Sequence, residues 1–387
     1  MEARNRTTPQ PRRKLRVAVL FGGRSGEHEV SLMSAASVIK AMDKTKYDVI
    51  PIGITKEGRW LAGGDPLAVL TAGRERLDLP HQTSQVMPSG LLPEPGRNEL
   101  LMIGRQDCVT IAELGAIDVV FPVLHGTYGE DGAIQGLLEL ADIPYVGAGV
   151  AGSAVGMDKA LMKELFRAAG LPILDYVLVM RWELDQDVQS CVAKVEEQLP
   201  YPCFVKPANL GSSVGISKVR NRNELLAAFA LAARYDRKLV VEKGARNARE
   251  VEISVLGNNQ PTVSQLGEIV PANEFYDYDA KYNDDRSQLI IPARVSDACA
   301  ERVGELAVRA FKACDCSGLA RVDFFVAKEN EEIWLNEINT LPGFTRISMY
   351  PKLWEASGIP YSQLIDRLIE LALERYQDKL RSKTSYD

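Results

Sequence analysis

The stretch "KPANLGSSVGISK", Lys206 to Lys218, decides what kind of ligand site this chain contains. It places a lysine and a glycine–serine loop between two apolar runs. Small residues of this kind let backbone N–H groups approach a phosphate closely. In the common phosphate loop, G-x-x-x-x-G-K-[ST], the lysine follows the glycines and begins a helix. Here the lysine comes first and strand-like sequence lies on both sides, which predicts a lysine on a strand beside a flexible flap.

The bulk composition is that of a globular protein with two or three domains. The chain has 387 residues, of which 46% are hydrophobic and 25% charged, with a net charge of −6. This weakly acidic balance predicts no nucleic-acid partner, and the absence of a long apolar run predicts no membrane partner. Six scattered cysteines without a Cys-x-x-Cys motif argue against zinc. With no apolar signal segment, these features predict a cytoplasmic protein.

The first part of the chain predicts an open, mostly parallel α/β domain over residues 15–147. A β-branched run from Val17 to Phe21 ends in a glycine turn, apolar positions then recur at helical spacing, and a second strand follows. We expect the Pro- and Gly-rich stretch from about Gly63 to Gly104 to be an irregular insertion. The basic residues 1–14 predict a disordered arm.

Two loops of this first domain carry candidate substrate-binding groups. The motifs "GGRSGEHEVS" and "HGTYGEDG" both follow strands, at the edge where open α/β sheets bind ligands. Glu27 and His125 are the polar groups that such loops could present to a small substrate. A histidine after a strand is also a common structural residue, and both interpretations of His125 stay open.

The rest of the chain predicts an α+β arrangement in two parts, residues 148–241 and 242–387. Lys206 and the lysine of "MDK", Lys159, supply two cations. Together with a metal and a glycine loop, lysines are the usual equipment for phosphoryl transfer. The connection from Glu242 to Ala245 is placed to offer backbone groups to a purine edge. Glu250 is placed to bind a ribose hydroxyl, with a plain surface charge as the alternative.

A hairpin near the C-terminus breaks its own apolar pattern. The segments "RVDFFVA" and "EIWLNEIN" are strand-like and are joined by a polar turn. Centring the turn on Asn330 puts Asp323 opposite Glu337, with Asn339 on the same face. Neighbouring buried carboxylates are disfavoured unless compensated, and oxygen ligands suit Mg²⁺ or Mn²⁺. The hairpin therefore predicts a metal site, with a solvated acidic face as the alternative.

Two further groups lie next to these predicted ligands. Arg321 shares their face and can neutralise charge beside the metal. Gly343, in "NTLPGFT", can bring a backbone N–H group near whatever the metal holds, although a plain turn after proline is the simpler alternative.

These motifs together resemble the D-alanine–D-alanine ligase family of the ATP-grasp superfamily. The matching segments are "FGGRSGEHEVSL", "FPVLHGTYGEDGAIQGLLEL", "VGAGVAGSAVGMDK", "KPANLGSSVGISKV", "FYDYDAKY", "RVDFF" and "NEINTLPGFT". They occur in the family's order and cover residues from about 15 to 375. The resemblance implies a three-domain ATP-grasp fold, a homodimer, and ATP-dependent joining of two D-alanine molecules through an acyl phosphate for peptidoglycan precursor synthesis.

The resemblance also implies roles for individual residues. The first D-alanine would meet Glu27, with Ser212 and Tyr282 linking the loops that close over it, and His125 beside it. The carboxylate of the second D-alanine would meet Lys281 and Ser348. ATP would be held by Lys159, Lys206, Glu242, Lys243, Ala245 and Glu250. Two Mg²⁺ or Mn²⁺ ions would be ligated by Asp323, Glu337 and Asn339. The oxyanion of the tetrahedral intermediate would be stabilised by Arg321 and the Gly343 amide.

Several activities remain as alternatives. A D-alanine–D-lactate ligase is one, but such enzymes depart from "YDYDAKY", whereas this chain keeps Tyr278, Lys281 and Tyr282. Another ATP-grasp carboxylate–amine ligase is a second. A regulatory protein with an inactive site is a third, and the complete set of predicted metal ligands argues against it. The segment "FYDYDAKYNDDRSQ" is expected to form a lid, since an acyl phosphate must be kept from water.

Overall fold

The computed structural model describes most of the chain. The described residues are 13–73, 86–103, 111–212, 214–270, 288–383 and 385. The predicted arm, apart from its last two residues, and the predicted lid up to residue 287 lie outside these ranges, and so do Tyr278, Lys281 and Tyr282. Within the described part, no helix is long and apolar enough to cross a membrane.

The described part of the chain contains both helices and strands, and some helices follow one another directly. They are α1 (His28–Ala41), α2 (Pro66–Thr71), α3 (Ala133–Leu140), α4 (Val150–Met157), α5 (Lys159–Ala168), α6 (Arg181–Gln198), α7 (Arg222–Ala232), α8 (Asp297–Ala313), α9 (Met349–Ala356) and α10 (Tyr361–Lys379). The strands form three sheets, which follow one another along the described chain. The division into domains at residues 147 and 241 remains a prediction.

The first sheet has seven strands among the described residues, in the order β6-β5-β4-β3-β2-β1-β7. The strands are β1 (Leu15–Gly22), β2 (Tyr47–Ile54), β3 (Trp60–Ala62), β4 (Met87–Leu91), β5 (Glu99–Ile103), β6 (Ile111–Ala116) and β7 (Val119–Val123). Its parallel part is β2-β1-β7. Residues from Val17 to Phe21 are fully buried because helices cover both faces of this part of the sheet.

Two expectations about this sheet were wrong in detail, although the α/β class is confirmed. In its described residues, the stretch from Gly63 to Gly104 is not irregular, since they contain α2, β4 and β5. The sheet is not mostly parallel either, because β2 to β6 pair in antiparallel fashion. The short strands of this region carry prolines and glycines, so their sequences lack the alternation that identifies a strand.

The second and third sheets are antiparallel. The second has the order β10-β9-β11-β8 and the third the order β14-β13-β12-β15-β16. Their strands are β8 (Tyr176–Met180), β9 (Cys203–Pro207), β10 (Ser217–Val219), β11 (Lys238–Lys243), β12 (Ala248–Gly257), β13 (Thr262–Val270), β14 (Gln288–Ile290), β15 (Gly318–Ala327) and β16 (Ile333–Asn339). The flap of the opening stretch therefore connects two neighbouring strands, β9 and β10, as its sequence predicted.

Apolar clusters fix how these sheets are placed. The C-terminal helix α10 packs through Leu364, Ile365 and Leu368 against the first sheet, in the same core as Val17 and Val19. Helices α6 and α7 cover the second sheet. Helix α5 shares a core with α8 and the third sheet. Because α10 follows the third sheet but packs on the first, α10 and the first sheet form one packed unit.

Candidate active site

Two neighbouring cavities contain the predicted site residues that the structure describes. The first cavity, of about 590 Å³, is lined by Glu27, His125, Lys159, Ser212, Arg321, Glu337, Asn339, Gly343 and Ser348. The second cavity, of about 610 Å³, is lined by Lys206, Glu242, Lys243, Ala245, Glu250, Asp323 and Glu337. Glu337 belongs to both linings, so the end of β16 is a wall shared by the two cavities.

Glu27 is the point where two loops of different sheets meet. The Ser212 hydroxyl, from the flap of the second sheet, donates a hydrogen bond to the Glu27 carboxylate. Ser212 has a φ of 48°, in the left-handed region, which aims its side chain back at Glu27. A Cβ atom added at Gly211 would lie 2.6 Å from Glu27 Oε2, and one at Gly126 would lie 2.7 Å from it. These two glycines are therefore needed for the close approach of both loops.

His125 is held by the protein through both ring nitrogens. Its Nδ1 lies 3.0 Å from the Leu341 carbonyl oxygen and its Nε2 lies 3.0 Å from Ser34 Oγ. A carbonyl only accepts, so Nδ1 carries the hydrogen and Nε2 accepts from the serine hydroxyl. Burial lowers the pKa of His125 below its ordinary value, which favours this neutral tautomer. His125 thus joins the loop after β7 to the loop that contains Gly343.

Glu130 is a site residue that the sequence did not identify. Its carboxylate accepts from the backbone N–H groups of Gly126, at 2.7 Å, and Leu341, at 3.2 Å. Burial and the neighbouring Glu27 raise the pKa of Glu130 to about 8. The motif "GEDG" placed two carboxylates, Glu130 and Asp131, in this loop, but nothing in its spacing distinguished the one that would turn inward.

The hairpin β15–β16 has the predicted register, with Asp323 directly opposite Glu337. The Arg321 guanidinium donates to both oxygens of Asp323, at 2.7 Å each, and lies 3.0 Å from Glu252. Asn339 donates to Asp323 at 3.0 Å. Burial alone would lower the pKa of Arg321, but the negative charges of Asp323 and Glu252 raise it well above its ordinary value.

Charged side chains surround the hairpin. Among the described residues, the carboxylates of Asp323, Glu252 and Glu337 lie beside the cations Arg321 and Lys159, the latter 3.6 Å from Glu337. The predicted ligand set is made of oxygen atoms only, on one strand pair. This donor set fits a hard divalent cation such as Mg²⁺ or Mn²⁺. Among the described residues, the hairpin included, no group of three or more His, Cys, Asp or Glu side chains has the geometry to hold a metal ion, so the predicted set consists of two carboxylates and one amide.

The two predicted lysines lie in different cavities. Lys159, at the start of α5, lines the first cavity and donates to the Leu210 carbonyl oxygen at 2.8 Å, which fixes it beneath the flap. Lys206, on β9, lines the second cavity and lies 2.6 Å from Glu242 Oε2. Burial alone would lower the pKa of Lys206, but Glu242 and Glu337 raise it. Lys206 is therefore charged at neutral pH, as a phosphate-binding group must be.

Glu242 also contacts a third lysine, Lys163, which the sequence analysis missed. Lys163 belongs to α5, and its ammonium group pairs with Glu242 Oε1 and donates to the Asn336 carbonyl oxygen at 3.4 Å. Its side chain is only 1% exposed. A signal existed, because Lys163 follows Lys159 by four residues and so lies on the same helix face.

The remaining predicted residues occupy loops and strand ends. Lys243 ends β11 and Ala245 follows it, while Glu250 lies on β12. Ser348 is the residue before α9, and its Oγ accepts from the Thr345 N–H at 3.0 Å. A Cβ added at Gly343 would lie 3.0 Å from Ser348 Oγ, so this loop is tightly folded.

Comparisons with known proteins cover nearly the whole chain. The family model described as D-ala D-ala ligase N-terminus matches residues 16–148, and the one described as D-ala D-ala ligase C-terminus matches residues 165–370. A D-alanine–D-alanine ligase of Natranaerobius thermophilus is 50% identical over 97% of this chain and 99% of its own length. One of Thermoanaerobacter sp. is 53% identical over 95% of this chain and 99% of its own length.

Solved structures agree with these matches. The VanG D-Ala:D-Ser ligase of Enterococcus faecalis has a TM-score of 0.80 at 37% identity, covering 93% of this chain and 100% of that one. The D-alanine–D-alanine ligase of Coxiella burnetii has a TM-score of 0.77 at 37% identity, covering 95% and 96%. The fold thus has solved counterparts along almost the full chain.

Proposed function

Since the chain belongs to the D-alanine–D-alanine ligase family, we propose that it joins two D-alanine molecules to D-alanyl-D-alanine while ATP is converted to ADP and phosphate. This ATP-dependent ligation supplies a precursor of peptidoglycan. The observation that carries the proposal is the pair of adjoining cavities with Glu337 in their common wall. An amino acid in the first cavity and ATP in the second would meet at this wall.

The first step activates a carboxylate. One carboxylate oxygen of the first D-alanine attacks the γ-phosphorus of ATP, the bond from that phosphorus to the β,γ-bridging oxygen breaks, and ADP leaves as the acyl phosphate forms. Glu27, fixed by Ser212, binds the ammonium group and so sets which end of the amino acid faces the wall. Lys159 and Lys206 approach that wall from the two cavities and offset the charge of the phosphates.

The second step forms the peptide bond. The free amine of the second D-alanine attacks the acyl carbon, loses a proton to solvent or phosphate, and inorganic phosphate leaves. Negative charge develops on the carbonyl oxygen during this attack, and Arg321 and the Gly343 N–H are proposed to stabilise it. Ser348 and Lys281 are proposed to bind the carboxylate of the second D-alanine.

Asp323, Glu337 and Asn339 are proposed to hold two Mg²⁺ or Mn²⁺ ions. Bound there, such ions supply charge neutralisation and alignment of the phosphates. The adenosine is proposed to lie against Lys243 and Ala245 in the second cavity, with its ribose near Glu250. We also propose that the segment "FYDYDAKYNDDRSQ" closes over the site, with Tyr282 contacting the flap.

The identity of the second substrate separates the remaining candidates. The likeness to a D-Ala:D-Ser ligase makes D-serine a specific alternative as second substrate. D-lactate is the other alternative, in which a hydroxyl replaces the amine as the nucleophile. The family resemblance supports a homodimer in the cytoplasm, and the oligomeric state can be measured by sedimentation.

The test is phosphate release from ATP and Mg²⁺ with D-alanine, L-alanine, D-alanine plus D-serine, or D-alanine plus D-lactate, each across pH. Turnover with D-alanine alone near neutral pH, and none with L-alanine, is the expected result. Release mainly in the D-serine or D-lactate mixture would assign the enzyme to a mixed-ligand activity. No release in any mixture would overturn the proposal.

A further inference from the structure

The second cavity is bounded by a buried group of three charged side chains, Lys163, Glu242 and Lys206. Their side chains are 1%, 2% and 11% exposed, respectively. Glu242 contacts a different lysine with each carboxylate oxygen, Lys163 with Oε1 and Lys206 with Oε2. Two cations on one carboxylate give this group of three a formal charge of +1, and Glu337 lies close enough to raise the pKa of Lys206 as well.

The three side chains come from one helix and two paired strands, and a residue of a third element contacts both lysines. Lys163 lies on α5, Lys206 and Glu242 lie on the paired strands β9 and β11, and Asn336 on β16 contacts both lysines. The Asn336 carbonyl oxygen is 3.4 Å from Lys163 Nζ, and its side-chain oxygen is 3.5 Å from Lys206 Nζ. The group therefore joins the second sheet to the hairpin of the third, next to Glu337.

Of these residues, Lys163 faces neither cavity. Lys206, Glu242 and Asn336 line the second cavity, whereas the described lining of both cavities omits Lys163. A ligand in the cavity is thus reached by Lys206 and not by Lys163. Lys163 can influence the ligand only through Glu242 or through the position of β16.

We infer that Lys163 is a positioning residue of the ATP site, which neutralises Glu242 so that the charge of Lys206 remains available to a polyphosphate. Without Lys163, Glu242 and Lys206 form a neutral pair, and the group of three loses its positive charge. Because the site is buried, that charge is poorly screened and acts strongly on a phosphate group. The inference rests on the proposed function, since it takes ATP as the ligand of the second cavity.

Lys163→Met tests this inference with little change in side-chain volume. The expected result is a rise in the KM and Kd for ATP of about tenfold or more, the size of one buried charge interaction, with a much smaller change in the KM for D-alanine. Arg167→Met is the matched control, because it removes a cation from the solvent side of the same helix, and its ATP affinity should equal that of the wild type.

A second variant covers the case in which Lys163→Met, by removing the partner of Glu242 Oε1, prevents folding. Lys163→Met combined with Glu242→Gln restores one positive charge to the group, so ATP affinity should recover towards that of the wild type. The two substitutions should therefore be strongly non-additive in ATP Kd. Lys163→Arg, which keeps the charge, should retain most of the affinity.

Each outcome separates this inference from the proposed function. A wild-type enzyme without D-alanine-dependent ATP use would overturn the proposed function. An active wild type, with an unchanged ATP Kd in Lys163→Met, would overturn the role of Lys163 alone. A third outcome is that Lys163→Met folds and binds ATP as weakly as the double variant, both more weakly than the wild type. This would show that Lys163 acts through packing, and it would also contradict the inference.

Discussion

The two cavities share the end of β16 but differ in the charged groups that are proposed to meet a ligand. In the first cavity, the Glu27 carboxylate is held by the Ser212 hydroxyl, and Glu130 keeps its proton at neutral pH because its pKa is raised to about 8. In the second cavity, Lys206 and Lys163 each contact one oxygen of the Glu242 carboxylate. On this difference rests the proposal that the ammonium group of the amino acid binds in the first cavity and the polyphosphate in the second.

The largest expected effect on turnover comes from changing Glu337, which lines both cavities. Glu337→Gln keeps the shape of β16 but removes the negative charge common to both cavities. We expect turnover to fall on the order of 10³-fold, the loss seen when one preorganised electrostatic group is removed, with an unchanged melting curve. Steady-state kinetics at saturating substrates is the measurement.

Glu332→Gln is the control for that variant, because it changes an exposed glutamate next to the turn of the same hairpin. Its turnover should match that of the wild type. Retention of most activity by Glu337→Gln would contradict both the metal assignment and the shared wall.

Lys206→Ala tests the second cavity separately, because Lys206 lines that cavity and not the first. Loss of a charged hydrogen-bond donor is worth about 1.5–3 kcal/mol, so the Kd for ATP should rise roughly 10- to 100-fold. Arg234→Ala, an exposed cation beyond α7, should leave the Kd unchanged. If ATP binds equally well to the Lys206 variant, the second cavity is not the phosphate site.

Glu130, in the first cavity, is expected to make the free energy of unfolding of the protein depend on pH. Its pKa is raised from 4.5 to about 8, so between these values the folded protein holds a proton that the unfolded chain releases. The contribution of Glu130 to the free energy of unfolding is therefore complete below the lower value. It decreases as the pH rises between the two values, by up to about 1.4 kcal/mol per pH unit. Glu27, His125 and Arg321 face the same space and contribute their own charges.

Glu130→Gln should remove this slope. Urea unfolding at pH 5, 6.5 and 8 should show the variant gaining on the wild type as pH increases, by up to about 2 kcal/mol between pH 6.5 and pH 8. Parallel pH profiles of the two proteins would mean that Glu130 is ionised in the folded state.

The smallest expected effect concerns the loop that carries Gly343. Ser34→Ala removes the hydroxyl that donates to His125 and accepts from the Phe344 N–H at 3.3 Å. We expect a loss of about 1–2 kcal/mol in the free energy of unfolding, because buried polar groups lose a partner. Ser37→Ala, on the same helix, removes only a bond to its own helix and should change stability by less than about 0.5 kcal/mol.

Local sequence patterns were sufficient to predict the register of the hairpin and the position of the flap. The alternation of side chains across paired strands, with a short turn, placed Asp323 opposite Glu337. The order of lysine and glycines placed Lys206 on a strand beside a flap. Both features depend on fewer than about twenty consecutive residues, over which strand geometry leaves few alternatives.

Longer-range features could not be predicted in this way. The strands between Gly63 and Gly104 form only because the first sheet offers a free edge, which their own sequence does not encode. The pairing of Lys163 with Glu242 needs α5 to pack beside β11, and the deep position of Glu130 depends on the backbone of Leu341 in the third sheet's loop. The contacts of Lys281 and Tyr282, outside the described residues, remain predictions.

The central claim is that a carboxylate in the first cavity meets the γ-phosphate of ATP from the second. The most direct test uses D-alanine carrying ¹⁸O in both carboxylate oxygens, with mass analysis of the released phosphate. Attack on the γ-phosphorus, followed by departure of phosphate, transfers one ¹⁸O to each phosphate formed during ligation. Phosphate without ¹⁸O, or ¹⁸O found in AMP, would contradict the account.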